Sequence, residues 1–431
     1  MAIKRIKVSN FKVFKDLDLQ LSDYNILIGA NASGKSSFVE IFKFLKNLTA
    51  EGLKNAISLS GGIEYLRNMN IGSSRPLTFL VTVGGFPEMR RQKSSNGATI
   101  YRQVEELTYG FKLDFADNDD KQFSIVEDKL QLKLSFFSAD FAGEKKNTYI
   151  ENRDFEKKGE VVVSLFRDNG VPRLEIEKDK LDFSDDFLSK EMILPSFFQN
   201  YEIGYQQTIL ETPLAFVIEP NLRKILNGIS VYNINPSLSR RAVPVEGKVE
   251  LDEDAGNLPL VLKEIIENKE QKNKLLNLIH DVLPFIKNID VEKYADRSFL
   301  LSLKEHYLKE KYIPAALFSD GTISITALII VLYFENNSLT IIEEPERNIH
   351  PHLISRLVEM FLEVANHRQL IATTHNPELI KYIDLQNLFL VNRDERGFSS
   401  INRPVEKKEV AAFLDNDMGI DELYIQNLLE V

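Results

Sequence analysis

The sequence predicts an α/β protein that combines a mostly parallel sheet, an antiparallel β region and a helical insertion. Strand-like apolar runs alternate with helical patterns near both ends of the chain, which is the pattern of parallel strands joined by helices. The middle of the chain instead carries alternating apolar and polar residues separated by polar turns, as antiparallel sheets do. Hydrophobic residues make up 43% of the chain and charged residues 27%, which are ordinary proportions for a protein with a core.

The N-terminal segment predicts a hairpin followed by a strand, a glycine loop and a helix. Apolar and polar residues alternate on both sides of the turn at 10–15, which indicates two strands. A short apolar run at 24–28 ends at Gly29 and fits a buried strand. Helical spacing of the apolar residues then predicts a helix over 37–48.

Two different regions follow. Residues 86–184 are rich in β-branched and aromatic residues, with alternation that predicts antiparallel strands. Residues 185–310 predict a mainly helical insertion, most clearly at 260–266 and 275–286. The segment 233–254 contains two prolines and mixed charge, so we expect a long irregular connection there.

Residues 311–431 return to the α/β alternation. Strands are predicted at 339–342, 369–373 and 388–391, with helices between them. The longest apolar stretch, 323–334, is shorter than the roughly 20 residues that a membrane-spanning helix needs. We recognise no secretory signal either, so we expect a cytoplasmic protein with no membrane partner.

The composition restricts the function further. The chain contains no cysteine, which excludes thiolate metal sites and a cysteine nucleophile. The net charge of −11 argues against a protein that coats nucleic acid non-specifically, because the summed field repels polyanions. Local nucleic-acid binding stays possible, since it depends on where the cations lie. The basic candidates are Arg90, Arg91, Lys93, Arg240 and Arg241.

Residues 29–36, Gly-Ala-Asn-Ala-Ser-Gly-Lys-Ser, have the spacing of a phosphate-binding loop. The glycines let backbone N–H groups point at a phosphate, Lys35 reaches the outer phosphates and the Ser36 hydroxyl ligates Mg²⁺. The positive end of the following helix also faces the anion. The nucleotide-binding candidates of this loop are Gly29, Asn31, Ser33, Gly34, Lys35, Ser36 and Ser37.

Paired carboxylates end the strand predicted at 339–342. We expect Glu343 to hold Mg²⁺ through water and Glu344 to accept a proton from the attacking water. Many nucleotide hydrolases carry Asp at the first position, so Glu343 departs from the broad pattern. Taken alone, the pair is equally compatible with an acidic turn.

Two weaker motifs complete the set. Phe-Ser-Asp-Gly-Thr at 318–322 precedes an apolar helix, and alone it indicates a helix cap at Ser319. His375 follows the strand predicted at 369–373, and its neutral imidazole is a candidate donor to a γ-phosphate. An isolated histidine at such a position is usually structural.

In this order, the four motifs resemble those of the ABC-type ATPase heads of the SMC, RecF and OLD-like families, which are often grouped with the AAA-family ATPases. The resemblance implies one head over 1–431, with a RecA-like sheet, a phosphate-loop half at 1–85 and a second half at 311–431. It assigns these roles: Lys12 approaches the nucleotide, Ser319 and Gly321 form the signature motif, Glu343 and Glu344 the Walker B pair, residues 346–351 the D-loop, and His375 the switch histidine.

The resemblance also implies ATP and Mg²⁺ as cofactors and a head-to-tail homodimer, with higher oligomers possible. In such ATPases the signature of one subunit covers the nucleotide held by the phosphate loop of the other. This chain carries one motif set, so a second copy is the simplest source of the other.

Relatives of this type regulate effectors in anti-phage defence. We therefore expect an ATPase that controls a separate effector, such as a Toprim or HNH nuclease, because the sequence after His375 is short for a fused Toprim nuclease. Two alternatives stay open: a RecF-like DNA repair ATPase, and a scaffold that binds ATP without hydrolysing it. Glu344 favours hydrolysis, since a scaffold does not need a carboxylate there.

Overall fold

Strands and helices both form large parts of the chain, as the predicted α/β class requires. The computed structural model describes residues 1–93, 99–115, 123–139, 155–179, 181, 188, 193–195, 198, 201–294, 297–308, 311–406, 410, 419–426 and 428. Within these residues the strands are β1 Ala2–Phe11, β2 Phe14–Gln20, β3 Tyr24–Ile28, β4 Leu77–Gly84, β5 Met89–Lys93, β6 Thr99–Phe115, β7 Phe123–Ala139, β8 Phe155–Asp168, β9 Val171–Asp179, β10 Ile229–Tyr232, β11 Val243–Pro244, β12 Ile286–Tyr294, β13 Ser298–Glu305, β14 Ile313–Pro314, β15 Leu339–Glu343, β16 Gln369–Thr374, β17 Leu388–Arg393 and β18 Ser399–Asn402. The α-helices are α1 Lys35–Glu51, α2 Leu53–Leu59, α3 Ile63–Leu66, α4 Pro213–Ile218, α5 Pro220–Asn227, α6 Pro236–Ser239, α7 Leu258–Glu267, α8 Lys269–Val282, α9 Asp320–Tyr333, α10 Ile354–Ala365, α11 Pro377–Ile380 and α12 Ile420–Ile425.

The chain folds into two units, each assembled from separate segments. The first unit comprises Met1–Leu21, Glu40–Gly228 and Glu395–Ser400, and the second Ser22–Val39, Ile229–Asp394 and Ile401–Val431. The segments predicted at 1–85, 86–184, 185–310 and 311–431 do not coincide with these units, because each unit draws on both ends of the chain.

The first unit contains an antiparallel sheet in the order β2-β1-β4-β6-β7-β8-β9, with β5 paired to β6. The predicted N-terminal hairpin is confirmed, with Ile6 opposite Leu19. The predicted antiparallel region is also confirmed in its described residues. Its start at residue 86 is wrong, since the sheet already includes Ala2–Phe11 and Leu77–Gly84. Alternation reveals a strand, whereas its neighbours depend on hydrogen bonds between distant segments.

Four phenylalanines pack together, three of them from strands of this sheet and one from a helix. Phe44 from α1 meets Phe11, Phe79 and Phe111, with ring centroids 5.8–6.3 Å apart. All four rings are almost completely buried. Aromatic groups of this kind contribute strongly to a core because each buries a large apolar area.

The second unit contains a six-stranded sheet in the order β10-β15-β16-β3-β17-β18. The pairs β10–β15, β15–β16, β16–β3 and β3–β17 are parallel. The strands predicted at 339–342, 369–373 and 388–391 are all present, lengthened by one or two residues. Because parallel strands end at the same edge of the sheet, the residues that follow β3, β15 and β16 lie side by side. Ligands of such sheets usually bind at this edge.

The predicted helical insertion at 185–310 is partly wrong. Helices α4 to α8 lie there, but Ile286–Tyr294 and Ser298–Glu305 form the antiparallel pair β12 and β13. Leu301 and Leu303 are buried at period two on β13, which is a strand pattern. The first residues of the insertion, from 185 to 200, lie mostly outside the described residues.

The apolar run at 323–334 belongs to α9, whose residues 322–332 are all buried. A helix that is apolar on every side is a core helix or a membrane helix. Helix α9 has 14 residues, and we find no helix of membrane-spanning length and apolarity in the described part of the chain. It therefore packs as the central helix of the second unit.

Candidate functional site

The loop after β3 has the local geometry of a phosphate-binding loop. Helix α1 begins at Lys35, and its first intrahelical bond runs from the Phe38 N–H to the Gly34 carbonyl at 3.0 Å. Gly34 has φ 118°, a conformation that glycine adopts without strain. A Cβ at Gly29 would lie 2.3 Å from the Val391 carbonyl oxygen, so only glycine fits there. The loop thus leads into a helix N-terminus, a position that favours anion binding.

Lys35 is folded back onto this loop. Its ammonium group donates to the carbonyl oxygens of Gly29 at 2.6 Å and Ala30 at 2.9 Å. Burial lowers the pKa of Lys35, while the carboxylates of Glu344, Glu346 and Glu343 oppose that shift. Both carbonyl contacts are neutral, so the charge of Lys35 stays available for a phosphate.

Ser36 and Glu343 bring together oxygen atoms from two distant parts of the sequence. The Ser36 hydroxyl donates to Oε2 of Glu343 at 3.1 Å, at the end of β15. Hydroxyl and carboxylate oxygens are the ligands that Mg²⁺ prefers, and it usually takes the remainder from water and substrate phosphates. No group of three His, Asp or Glu side chains in the described residues could hold a metal without such help. The pair therefore fits a nucleotide-bound Mg²⁺ rather than a metal enclosed by protein.

Glu344 stands directly after β15 in a left-handed conformation, with φ 46°. Its N–H donates to the Thr373 carbonyl at 2.9 Å, and its Oε1 lies 2.9 Å from Nδ1 of His375. Such backbone strain in a residue other than glycine costs of the order of 1–3 kcal/mol and clusters at functional sites. The carboxylate is thereby turned towards His375.

This contact bears on the predicted role of His375. A carboxylate only accepts hydrogen bonds, so Nδ1 of His375 carries the proton shared with Glu344. A neutral imidazole then leaves Nε2 as an acceptor. The predicted donation to a γ-phosphate by a neutral imidazole does not suit this conformation, because Nε2 donates only from the imidazolium.

Glu346 is a site residue whose part the sequence did not reveal. Its side chain is 6% exposed, and its Oε1 accepts a hydrogen bond from the Thr374 hydroxyl at 2.5 Å. Oε2 has no hydrogen-bond partner among the described residues. Burial raises the pKa of Glu346, and the Thr374 bond opposes that shift. The resemblance placed Glu346 only at the start of the D-loop region 346–351, and the sequence shows it as a third glutamate after the proline that follows Glu344.

Ser319 and Gly321 occupy the N-terminus of α9. The Ser319 hydroxyl caps the helix by accepting from the Thr322 N–H at 3.2 Å. A Cβ at Gly321 would lie 2.6 Å from the Asn348 carbonyl oxygen, so the residue must be glycine for this close approach. Within the described part of the chain, the hydrogen bonds of Ser319 stay inside this cap and do not reach the phosphate loop.

The other candidates are placed as follows. Asn31 is exposed, Ser33 buried and Ser37 half-buried, all beside Lys35 in the second unit. Lys12 lies in the first unit, in the turn between β1 and β2, with its Nζ 3.9 Å from Oε2 of Glu40. Its approach to a nucleotide stays a prediction.

The basic candidates belong to both units: Arg90, Arg91 and Lys93 to the first, Arg240 and Arg241 to the second. Arg240 lies 2.6 Å from Asp320, and Arg90 lies 3.9 Å from Glu88. Arg241 is exposed, and the side chain of Lys93 lies outside the described residues. Direct nucleic-acid binding stays an untested prediction.

Comparisons with known proteins show which family and fold the chain resembles. A family model described as "AAA domain, putative AbiEii toxin, Type IV TA system" matches residues 24–381, well over half of the chain. The Escherichia coli protein "Retron Ec83 probable ATPase" is 23% identical over 435 residues, which cover 92% of this chain and 72% of that protein. A solved SMC head bound to the C-winged helix domain of ScpA has a TM-score of 0.50 and 12% identity, covering 93% of this chain and 98% of that chain.

These comparisons confirm the resemblance that the four motifs predict. The structural likeness concerns the fold alone, at 12% identity. The chain has an SMC-head-like α/β fold whose largest sheet is antiparallel.

Proposed function

We propose, from the premise that this chain belongs to the AAA-domain family whose model it matches over residues 24–381, that it binds and hydrolyses ATP with Mg²⁺. Residues 1–431 would then act as one ABC-type head, with the six-stranded sheet as its RecA-like part. A relative named as a probable ATPase supports this activity.

One arrangement supports the proposal most strongly. The Ser36–Glu343 contact of 3.1 Å and the Glu344–His375 contact of 2.9 Å lie where neighbouring parallel strands end. The glycine loop that holds Lys35 lies at the same edge of the sheet. An acidic turn without catalytic function would not need a metal-compatible oxygen pair and a carboxylate–imidazole pair at one sheet edge. Nucleotide hydrolysis uses a bound metal ion and a residue that positions the attacking water.

Each side chain has a distinct part in this mechanism. Lys35 neutralises the outer phosphates, and Ser36 and Glu343 would hold Mg²⁺, which when bound adds positive charge beside the transferred phosphoryl group. Glu344 orients the attacking water and accepts its proton. His375 keeps Glu344 turned towards the site, and in its imidazolium form it also donates from Nε2 to a phosphate oxygen.

The signature motif acts on a second copy. Ser319 and Gly321 belong to the α9 cap and would cover the nucleotide bound by the phosphate loop of another chain in a head-to-tail homodimer. Two nucleotides are then enclosed between two copies.

We further propose that this nucleotide cycle regulates a separate effector, such as a Toprim or HNH nuclease, in anti-phage defence. The family description refers to a toxin, and the Escherichia coli relative is named as a retron ATPase. Both names are compatible with a head that controls a toxic partner.

Glu344→Gln tests the central claim. The amide keeps the size and most hydrogen bonds of the carboxylate but cannot take the proton. ATP binding should persist, while turnover should fall roughly 10²-fold or more, since general-base assistance supplies about 10²–10⁴-fold. A larger species should accumulate with ATP and Mg²⁺ in size measurements, because hydrolysis is what reopens the dimer.

Glu363→Gln is the matched control, a glutamate of α10 whose Oε2 accepts from the Tyr333 hydroxyl at 2.7 Å. It should leave turnover unchanged. Turnover at the parental rate in Glu344→Gln would refute the hydrolase proposal and favour a scaffold that only binds ATP.

A further inference from the structure

Arg240 reaches the loop that carries the signature motif. Its Nη2 lies 2.6 Å from Oδ1 of Asp320 and donates to the Phe318 carbonyl at 2.6 Å. One guanidinium group therefore joins the residues on both sides of Ser319. Hydrogen bonds from a charged donor are among the strongest in proteins, and the planar guanidinium fixes their direction.

The segment that carries Arg240 is itself anchored. The Asn235 N–H donates to the Asp254 carbonyl at 2.9 Å, and the Ser239 hydroxyl donates to the Ala255 carbonyl at 2.8 Å. Ser239 is completely buried, and the Arg240 side chain is 22% exposed. Arg240 thus extends from a fixed support, although the sequence predicts an irregular connection over 233–254.

The loop depends on outside support because its own cap is small. The Ser319 hydroxyl holds the first turn of α9 through the N–H and hydroxyl of Thr322, and Gly321 lies against the Asn348 backbone without a side chain. Arg240 adds two contacts: one fixes Phe318, which precedes the cap, and the other fixes Asp320, the first residue of the helix. Without it, the Phe318 carbonyl and the Asp320 carboxylate lose their shared donor.

We propose that Arg240 is a positioning residue for the signature loop: it holds Ser319 and Gly321 in the geometry needed to cover a nucleotide on a second copy of the chain. This inference rests on the proposed ATPase function. It removes Arg240 from the nucleic-acid-binding candidates, because its charge is engaged by Asp320. It also predicts that loss of Arg240 damages the partner's site and leaves nucleotide binding at its own phosphate loop intact.

Arg240→Ala and Arg241→Ala form a matched pair, since both remove one positive charge and Arg241 is exposed. Turnover per folded molecule should fall about tenfold to 100-fold in Arg240→Ala, the range expected for loss of a charge-assisted hydrogen bond. ATP affinity should change less than about twofold. Arg241→Ala should match the parent in both measurements. Equal turnover in the two variants would overturn the inference.

Mixing experiments separate positioning from a general loss of structure. A mixture of Lys35→Ala and Arg240→Ala chains should recover activity, because one of the two sites in a mixed dimer then combines an intact loop with an intact signature. A mixture of Ser319→Arg and Arg240→Ala should not recover, since every site then contains a damaged signature. Recovery in both mixtures, or in neither, contradicts the assignment.

The mixture of Lys35→Ala and Ser319→Arg is the reference. If it recovers while Lys35→Ala with Arg240→Ala does not, the inference about Arg240 fails and the shared site stands. If the reference also fails, the shared site is refuted together with the inference. Arg240→Lys serves where the alanine variant does not fold: it keeps the charge but not the planar geometry, so its turnover should still lie below that of Arg241→Lys.

Discussion

Lys35 is held by its own loop in the structure, with its ammonium group on the carbonyl oxygens of Gly29 and Ala30. These contacts keep a buried positive charge at the start of α1. Burial lowers the pKa of Lys35, and the three glutamates at the strand ends counter the effect. A bound phosphate would replace neutral carbonyl partners with an anionic one, so the residue is suited to exchange them.

Lys35→Ala should abolish ATP binding or reduce turnover to background, because no other side chain of the loop carries a positive charge to set against the phosphates. Fluorescent-nucleotide binding and phosphate release measure the two effects. Lys43→Ala, in the same helix but beyond the loop, should retain nearly full turnover. Equal activity of Lys35→Ala and the parent would refute the phosphate-loop assignment.

The residue scale also shows what a motif leaves open. Glu343 and Glu344 are adjacent, yet one meets Ser36 and the other His375. The left-handed backbone at Glu344 separates their directions. In an extended backbone the two glutamate side chains would point to opposite faces of the sheet. The sequence motif therefore does not determine which partner each glutamate contacts.

At the scale of elements, Asp128 joins β7 to the segment that follows β9. Its Oδ1 accepts from the Tyr109 hydroxyl at 3.0 Å and its Oδ2 accepts from the Ile209 N–H at 2.6 Å. Burial raises the pKa of Asp128 to about 7, an effect that the bonds from Ile209 and Tyr109 oppose. The folded state therefore holds a proton that the unfolded chain releases at lower pH.

This linkage has a definite sign. Because the pKa of Asp128 is higher in the folded state, its contribution to the free energy of unfolding is complete below the unfolded pKa of about 4. That contribution is lost as pH rises towards about 7, by at most about 1.4 kcal/mol per pH unit. Asp128→Asn removes the titration but keeps an oxygen for Ile209 and an amide for Tyr109. The melting temperature of the variant relative to the parent should rise between pH 4 and pH 7.5.

Asp114→Asn is the control for this experiment. Asp114 is an exposed residue of the neighbouring strand β6, so its replacement should not reproduce the pH dependence. A constant difference in melting temperature between Asp128→Asn and the parent across this pH range would show that Asp128 does not hold a proton in the folded protein.

At the scale of the whole molecule, one chain carries one phosphate loop and one signature motif. If active sites form between copies, lesions in the two motifs should complement each other. Lys35→Ala and Ser319→Arg chains should each be inactive, and their mixture should regain up to about a quarter of parental activity when chains pair at random in equal amounts, because half the dimers then contain one intact site of two.

Phosphate release measured over several mixing ratios tests this complementation. Activity should be greatest near equal amounts and should vanish at either extreme. Ser58→Arg, at an exposed position of α2, is the control for the introduced arginine and should remain active alone. Mixtures that never exceed the sum of the single variants would remove the support for a shared site.

The motifs of the candidate site could be predicted because each consists of consecutive residues. Spacing alone predicted the glycine loop at 29–36, the acidic pair after β15 and the strands that precede them, since backbone propensity and apolar periodicity act over short distances. The family could be recognised for the same reason. The order of the motifs along the chain is a sequence property.

The arrangement of distant segments could not be predicted in the same way. The N-terminal hairpin pairs with β4 in the antiparallel sheet, and β12 and β13 pair within a region predicted to be helical. Arg240 reaches across 78 positions to the Phe318 carbonyl. Each depends on hydrogen bonds and packing that form only when separate parts of the chain meet. Local patterns name the residues that can do the chemistry, while the partners of Glu344, Glu346 and Arg240 follow from which backbones the folded chain brings together.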